Sequence, residues 1–299
     1  MTEKLIFDCD NTLGLPLKEV DDGLALLYLL GEPKLSLLGI TTTFGNGTID
    51  QVYSQTQKLA NSLAREIPVL KGEGAQSRGA ETPAAAFMVE TVNKFPNQVT
   101  LLATGPVGNI LTASRLDPGF LSKIKRIAVM GGYLEPLKLG YRNLQELNFS
   151  ANPQAAHKVL NAPCPVTVFP GQACLDAPFV WRQVNQADWW PRQFRRILRK
   201  WLLVFGLYFG VSAFYLWDLL PAVYLAHPEF FDAIPFPIKS TQNHLKHGML
   251  IRGEPKTSAY ITLATGIRDK PGFYQHLETT WRRSAREYPL DSFVSHQRN

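Results

Sequence analysis

Two carboxylates, Asp8 and Asp10, stand at i and i+2 in the opening segment LIFDCDNTL. At the end of an extended strand that spacing puts both on one side, and one use of such a pair is to hold a hard cation through oxygen ligands. A second acidic pair, Asp21 and Asp22, opens an apolar stretch. Further candidates recur at the ends of other apolar runs: Gly45 and Asn46 after ITTTF, Thr104 and Gly105 after LLA, Met130 before a Gly-Gly pair, and Asp218 after Trp217. Carboxylates, amides and glycine turns can bind cations, move protons and grip hydroxyl groups, provided that a scaffold brings them to one rim.

The apolar patterning supplies that scaffold. Residues 4–7 read as a strand, 21–30 as a helix, 35–42 as a strand, 50–64 as a helix, 68–70 as a short strand, 83–93 as a helix and 99–103 as a strand. A helix from about 107, a strand over 124–130, a helix from 153 and a strand over 166–169 continue the series. The order is that of an α/β protein: right-handed crossovers, an open, mostly parallel sheet, and helices on both faces. Ligands in such sheets bind beyond the carboxyl ends of the strands, where the polar residues above fall. After 169 the pattern blurs into a helical half (186–225), a Pro-rich stretch (231–238) and strand-like runs at 249–252 and 259–265. Neither a linker nor a repeat divides the chain, so 1–299 reads as a single domain.

With 299 residues, 45% hydrophobic and 19% charged, the chain can bury a full core, which excludes a disordered, collagenous or disulfide-stapled protein. The net charge of +6 is small for this length and gathers at 192–199 and 282–286, so it reads as a solvated surface rather than a nucleic-acid footprint. Three cysteines without metal or redox spacing, and an opening without a signal-peptide core, point to a reducing compartment, the cytoplasm by default. The 17 uncharged residues from Trp201 to Trp217 only just reach spanning length. They read as a buried core helix, with an amphipathic docking helix as the other reading.

Two families share features with these motifs. Asp8-Cys9-Asp10-Asn11-Thr12 resembles the opening of haloacid dehalogenase-type phosphatases, but over only a dozen residues; the later strand that should carry a second acidic pair ends in VMGGYLE. A longer ordered series resembles the inosine-uridine-preferring nucleoside hydrolases. It comprises Asp8-Cys9-Asp10, Asp21-Asp22-Gly23-Leu24-Ala25-Leu26, ITTTFGN, LLATGPVGNI, VMGG, Glu146-Leu147-Asn148, NPQAAHKVL and Asp218 before Pro221-Ala222. That resemblance implies the Rossmann-like nucleoside hydrolase fold and Ca2+-dependent hydrolysis of the N-glycosidic bond of a ribonucleoside or related riboside, giving ribose and free base.

By the same resemblance Asp10, Asp22, the Thr104 carbonyl and Asp218 hold the calcium, and Asp10 is the base that takes the proton of the attacking water. Asp21, Asn46, Met130, Glu146 and Asn148 contact ribose; Trp217, which departs from the family pattern, can stack on the base. A small-molecule nucleoside, no nucleic acid, no membrane and a homodimer or homotetramer complete the expectation. The alternatives are a ribosyl-binding protein without turnover and a Mg2+-dependent phosphatase.

Departures from the family pattern carry their own expectations. Ten residues, 11–20, separate Asp10 from Asp21 where the family has three, so the extra segment must loop out and return the acidic pair to the metal. Trp217 stands where relatives place a histidine able to protonate the leaving base, and 71–81 contains no histidine either. Stacking, a good leaving group, or loss of turnover are the resulting options. Asn152 replaces a family aspartate; because Asn-Pro begins a helix well, the exchange reads as structurally silent. Asp8 reads as orienting its neighbours, Cys9 as core, and His157, His227, His244 and His247 as ordinary surface or core histidines.

Overall fold

The computed structural model describes residues 2–63, 66–256, 258–290 and 293. Its apolar runs form an eight-stranded sheet of β1 (Glu3–Cys9), β2 (Leu35–Thr42), β3 (Val69–Lys71), β4 (Val99–Ala103), β5 (Arg126–Met130), β6 (Val166–Phe169), β7 (Phe231–Ile238) and β8 (Ala259–Ile267). The spatial order is β7-β8-β6-β5-β4-β1-β2-β3, and every neighbouring pair is parallel except β7 with β8. The interior strands are mainly apolar because both of their faces are covered; all five residues of β4 are buried.

The main helices are α1 (Asp21–Gly31), α2 (Ile49–Ser62), α3 (Pro83–Lys94), α4 (Gly108–Leu116), α5 (Pro153–Leu160), α6 (Arg192–Phe209), α7 (Leu219–Ala226) and α8 (Lys270–Glu287). Along β1, Leu5, Phe7 and Cys9 join an apolar layer with Leu24 of α1, Val223 of α7 and Leu277 of α8. Ile6, on the opposite face, joins Met88, Ile110 and Val159 of α3, α4 and α5. Helix starts follow local chemistry: Thr48 closes a capping box on α2, while Thr82 and Asn152 cap α3 and α5 ahead of a proline. Helix α1 is buried at every position, as its nearly all-round apolar surface requires.

From β1 the chain moves outward through β2 and β3, then returns to the other side of β1 with β4 and proceeds to β5 and β6. The crevice between β1 and β4 is therefore the topological switch point, where ligands of such sheets bind. Asp10 leaves the first of these strands and Thr104 the second.

The second half departs from the sequence reading. The apolar run 201–217 is not one buried helix. It supplies the end of α6, a turn at Gly210 (φ 75°) and a short strand, Ala213–Tyr215, paired with Pro178–Val180. Arg192 to Lys200 belong to the same helix as the apolar residues, which makes α6 amphipathic rather than buried; Leu203, Leu207 and Tyr208 are more than half exposed. The Pro-rich stretch 231–238 is the edge strand β7, a position that tolerates the donor-free prolines. The strand-like run 249–252 makes only two isolated bridges, Tyr133 with Met249 and Ile238 with Arg252. No helix among the described residues is long and apolar enough to cross a membrane.

Candidate active site

The ten residues 11–20 loop out and come back, anchored on α2. Asn11 donates to Thr56 Oγ1 at 3.3 Å, and Gln55 Nε2 donates to the Leu13 carbonyl at 2.6 Å. Leu13 is fully buried in space that only a glycine at 23 leaves free, since a Cβ there would lie 2.4 Å from Leu13 Cδ2. The loop closes where Thr12 Oγ1 donates to the Glu19 carbonyl at 3.0 Å, and α1 then begins at Asp21.

That return assembles four carboxylates at the switch point. Asp10 Oδ2 accepts the Asn46 backbone N–H at 2.6 Å, an approach that admits only glycine at 45, where a Cβ would stand 1.9 Å from the same oxygen. Asp22 Oδ1 accepts the Thr104 hydroxyl at 2.6 Å. Asp21 Oδ2 accepts the Asp218 N–H at 3.4 Å, and Asp218 heads α7 without capping it. The Asp10 carboxyl lies close enough to that of Asp22 to interact with it directly, as the Asp218 carboxyl does with that of Asp21.

All four are at most 3% exposed. Burial, then the charge of Asp22, raises Asp10 well above the carboxylate range and Asp21 to about 7. Burial raises Asp22 to about 6, and burial with its acidic neighbours raises Asp218 well above its usual range. Asp10 Oδ1 and Asp21 Oδ1 are buried without any hydrogen-bond partner. Two ionised carboxylates in contact repel by about 4 kcal/mol at an effective dielectric near 20, so this cluster needs either protons or a cation. Its donors are all oxygens, which suits a hard divalent ion. The Thr104 carbonyl accepts Asn148 Nδ2 at 2.8 Å and keeps a second lone pair.

Asp8 lies behind the cluster. Its Oδ1 accepts Thr41 Oγ1 at 2.7 Å and Asn109 Nδ2 at 2.8 Å, while its carbonyl accepts the Thr104 N–H at 2.9 Å, so it fixes β2, α4 and the Thr104 turn relative to β1. Cys9 points into the apolar layer on the other face.

In front of the carboxylates opens a cavity of ≈270 Å3 whose wall includes Asn46, Thr104, Met130, Glu146, Asn148, Trp217 and Asp218. Asn148 Nδ2 also donates to the Met130 carbonyl at 3.0 Å, leaving the amide oxygen uncommitted to these bonds. Glu146, expected to contact ribose, lines the cavity and is also bound by its own loop. Its Oε1 accepts the Phe149 and Gly132 N–H groups at 2.8 and 3.1 Å and its Oε2 accepts Ser150 N–H at 2.7 Å, so the carboxylate ties its own loop to the end of β5.

Several lining residues escaped the sequence reading. Glu19, from the inserted loop, is hydrogen-bonded by the Asn46 side chain, and burial followed by the charge of Asp21 raises it to about 8. Tyr133 and the α6 residues Trp201, Phe205, Tyr208 and Phe209 form an aromatic wall with Trp217. The spacing 201, 205, 208, 209 marks one helical face and was the available signal; it is also the pattern of a core-facing helix. No lysine, arginine or histidine is among the described lining residues.

The exchange at Asn152 is not silent. Its Oδ1 caps α5 as expected, accepting Ala155 N–H at 3.1 Å, but its Nδ2 donates to Oε1 of the buried Glu73 at 3.1 Å. An aspartate would cap equally well and would set a second carboxylate against Glu73.

The family profile described as "Inosine-uridine preferring nucleoside hydrolase" matches residues 5–275. Uridine nucleosidase 1 of Arabidopsis thaliana is 30% identical over 195 residues, 56% of this chain and 55% of that protein. The inosine-uridine preferring nucleoside hydrolase of Crithidia fasciculata is 29% identical over 231 residues, 65% of this chain and 69% of its own. The matched region thus spans little more than half the length of the Arabidopsis relative. Among solved structures, the purine-preferring ribonucleoside hydrolase from Gardnerella vaginalis superposes with a TM-score of 0.81 at 23% identity, covering 95% of this chain and 99% of that one. A plant nucleoside hydrolase, PpNRh1, gives 0.78 at 18% identity, covering 95% of this chain and 99% of that one. These two likenesses concern the fold.

Proposed function

The chain belongs to the inosine-uridine preferring nucleoside hydrolase family, and from that premise we propose that it hydrolyses the N-glycosidic bond of a ribonucleoside or related N-riboside to ribose and free base. The observation that carries this reading is the unpartnered Asp10 Oδ1, buried in a cluster with three further carboxylates, one of which, Asp218, lines the aromatic-walled cavity.

A hard divalent cation, Ca2+ in this proposal, held by Asp10, Asp22, Asp218 and the Thr104 carbonyl, would acidify water and take ribose hydroxyl oxygens. Asp10 is fixed through Oδ2 by the Asn46 N–H and keeps Oδ1 to accept the proton of the water that attacks the anomeric carbon. As the bond to the base breaks, positive charge develops on the sugar, and Asp21, Asp22 and Asp218 stabilise it electrostatically. Asp21, Asn46 and the Asn148 amide oxygen face the sugar hydroxyls, with the Met130 side chain beside them. Trp217 and the aromatic face of α6 stack on the base and exclude water. In place of a histidine, Tyr133 offers a protic group: burial, then Glu146, keeps its hydroxyl protonated, so it donates a hydrogen bond to the departing base.

The test supplies the protein and Ca2+ with nitrophenyl riboside, natural nucleosides and a generic aryl phosphate. Release of reducing sugar from the ribosides, with the phosphate untouched, is the expected result. Intact riboside together with calcium binding would instead establish a ribosyl-binding protein.

A further inference from the structure

Helix α1 carries Asp21 and Asp22 at its N-terminus and ends at the opposite pole of the sheet, where Glu32 caps it in an extended conformation. There Glu32, only 2% exposed, meets His227, which ends α7, and His276 of α8. His276 Nε2 lies 3.3 Å and His227 Nε2 3.6 Å from the same carboxylate oxygen, Glu32 Oε2, and the imidazole centroids are 4.0 Å apart.

The two nitrogen–oxygen distances are those of ligands around one ion. Two donors each about 2.0–2.1 Å from a tetrahedral zinc are separated by about 3.4 Å, whereas a nitrogen and oxygen 3.6 Å apart are too far for a hydrogen bond. The remaining hydrogen bonds set the protonation pattern such a site needs. His227 Nδ1 lies 2.7 Å from Glu229 Oε1, which places a proton on Nδ1 and directs the lone pair of Nε2 toward Glu32. Glu32 Oε1 accepts Lys34 N–H at 3.1 Å, leaving Oε2 to the histidines. The Tyr28 hydroxyl, 3.0 Å from His276 Nε2, is within the same cluster and also hydrogen-bonds Glu32. Two helix carboxyl ends, of α1 and α7, point their negative dipole ends at this spot, which favours a cation there.

We propose that Glu32 Oε2, His227 Nε2 and His276 Nε2 form a second metal site, for an imidazole-preferring divalent transition ion of the zinc class, that pins α1, α7 and α8 together. It is distinct in donor set from the all-oxygen carboxylate cluster and independent of the hydrolytic reading. The two histidines are 15% and 18% exposed at their side chains, so an ion can reach them.

The test uses the full chain without a histidine tag, stripped with chelator and held in excess Ca2+ so that the hard ion occupies the carboxylate cluster. Co2+ is titrated as the spectroscopic probe and displaced by Zn2+. One equivalent is expected, with the visible d–d bands of a four- or five-coordinate N/O site, unchanged in Asp10→Asn. Affinity should fall about 100-fold in His276→Ala and in His227→Gln. If His276→Ala fails to fold, His227→Gln and the imidazole 15N shifts of the wild-type protein on Zn2+ addition decide. Weak octahedral-type bands alone, or equal affinity in wild type and the histidine variants, would show a plain histidine–glutamate network and overturn the proposal.

Discussion

Asn152 Nδ2 donates to Oε1 of Glu73 at 3.1 Å, and the other Glu73 oxygen is buried without a partner. Burial raises the Glu73 carboxyl despite that bond. Asn152→Asp should therefore lower stability by about 1–3 kcal/mol at neutral pH, seen as a fall of several degrees in Tm, with Glu73→Gln in the same chain restoring it. A carboxyl whose folded pKa is raised loses stability as pH rises above its unfolded value, so the deficit should shrink toward pH 4. An Asn152→Asp protein as stable as wild type at pH 8 would contradict the contact.

Asp10→Asn separates chemistry from folding. Removing the proton acceptor should cut turnover of nitrophenyl riboside by at least about 10³-fold. Removing one of four clustered charges should leave Tm in chelator unchanged or higher. Full turnover would exclude Asp10 as the base.

The acidic cluster makes metal-free stability fall with pH. Asp8 and Asp21, raised to about 7, and Asp22, raised to about 6, bind protons in the folded chain that the unfolded chain has already released above its value of 3.8. In chelator, Tm should thus decline from pH 5 to pH 8. Millimolar Ca2+ should restore it most at pH 8, where no protons compete. Calcium-independent melting at pH 8 would remove the cation from the cluster.

Tyr133→Phe should discriminate leaving groups. Loss of its hydrogen bond should slow natural nucleosides by about 10²-fold, while nitrophenyl riboside, whose leaving group needs no proton, stays within about threefold. Equal effects on both substrates would assign Tyr133 to packing.

Much of the sheet was legible because parallel strands buried on both faces leave largely apolar, uncharged runs, as 99–103 does, and because Thr48, Thr82 and Asn152 announce helix starts. Asp10 and Thr104 stand directly behind such runs, whereas Asp22 and Asp218 are singled out as ligands through the family resemblance. What stayed hidden depends on which face a side chain presents. The face of α6 bearing Trp201 and Phe205 has the same periodicity whether it meets a core or a cavity. Nothing local to Glu146 shows that three backbone N–H groups hold its carboxylate, and Glu32, His227 and His276 meet only because α1, α7 and α8 end or pass at one pole.

The switch-point crevice has a consequence for synthesis. Asp10, Thr104 and Asp218 come from three widely separated parts of the chain, and strand β1 cannot be flanked by β4 until about residue 103 has been made. The β1–β4 part of the sheet is complete in sequence well before Asp218, whereas β7, β8 and α8 follow it, so the four carboxylates of the proposed cation cradle cannot be assembled until most of the chain has been made. The last carboxylate arrives with α7, and hydrolytic competence should appear late in translation rather than growing with the folded fraction.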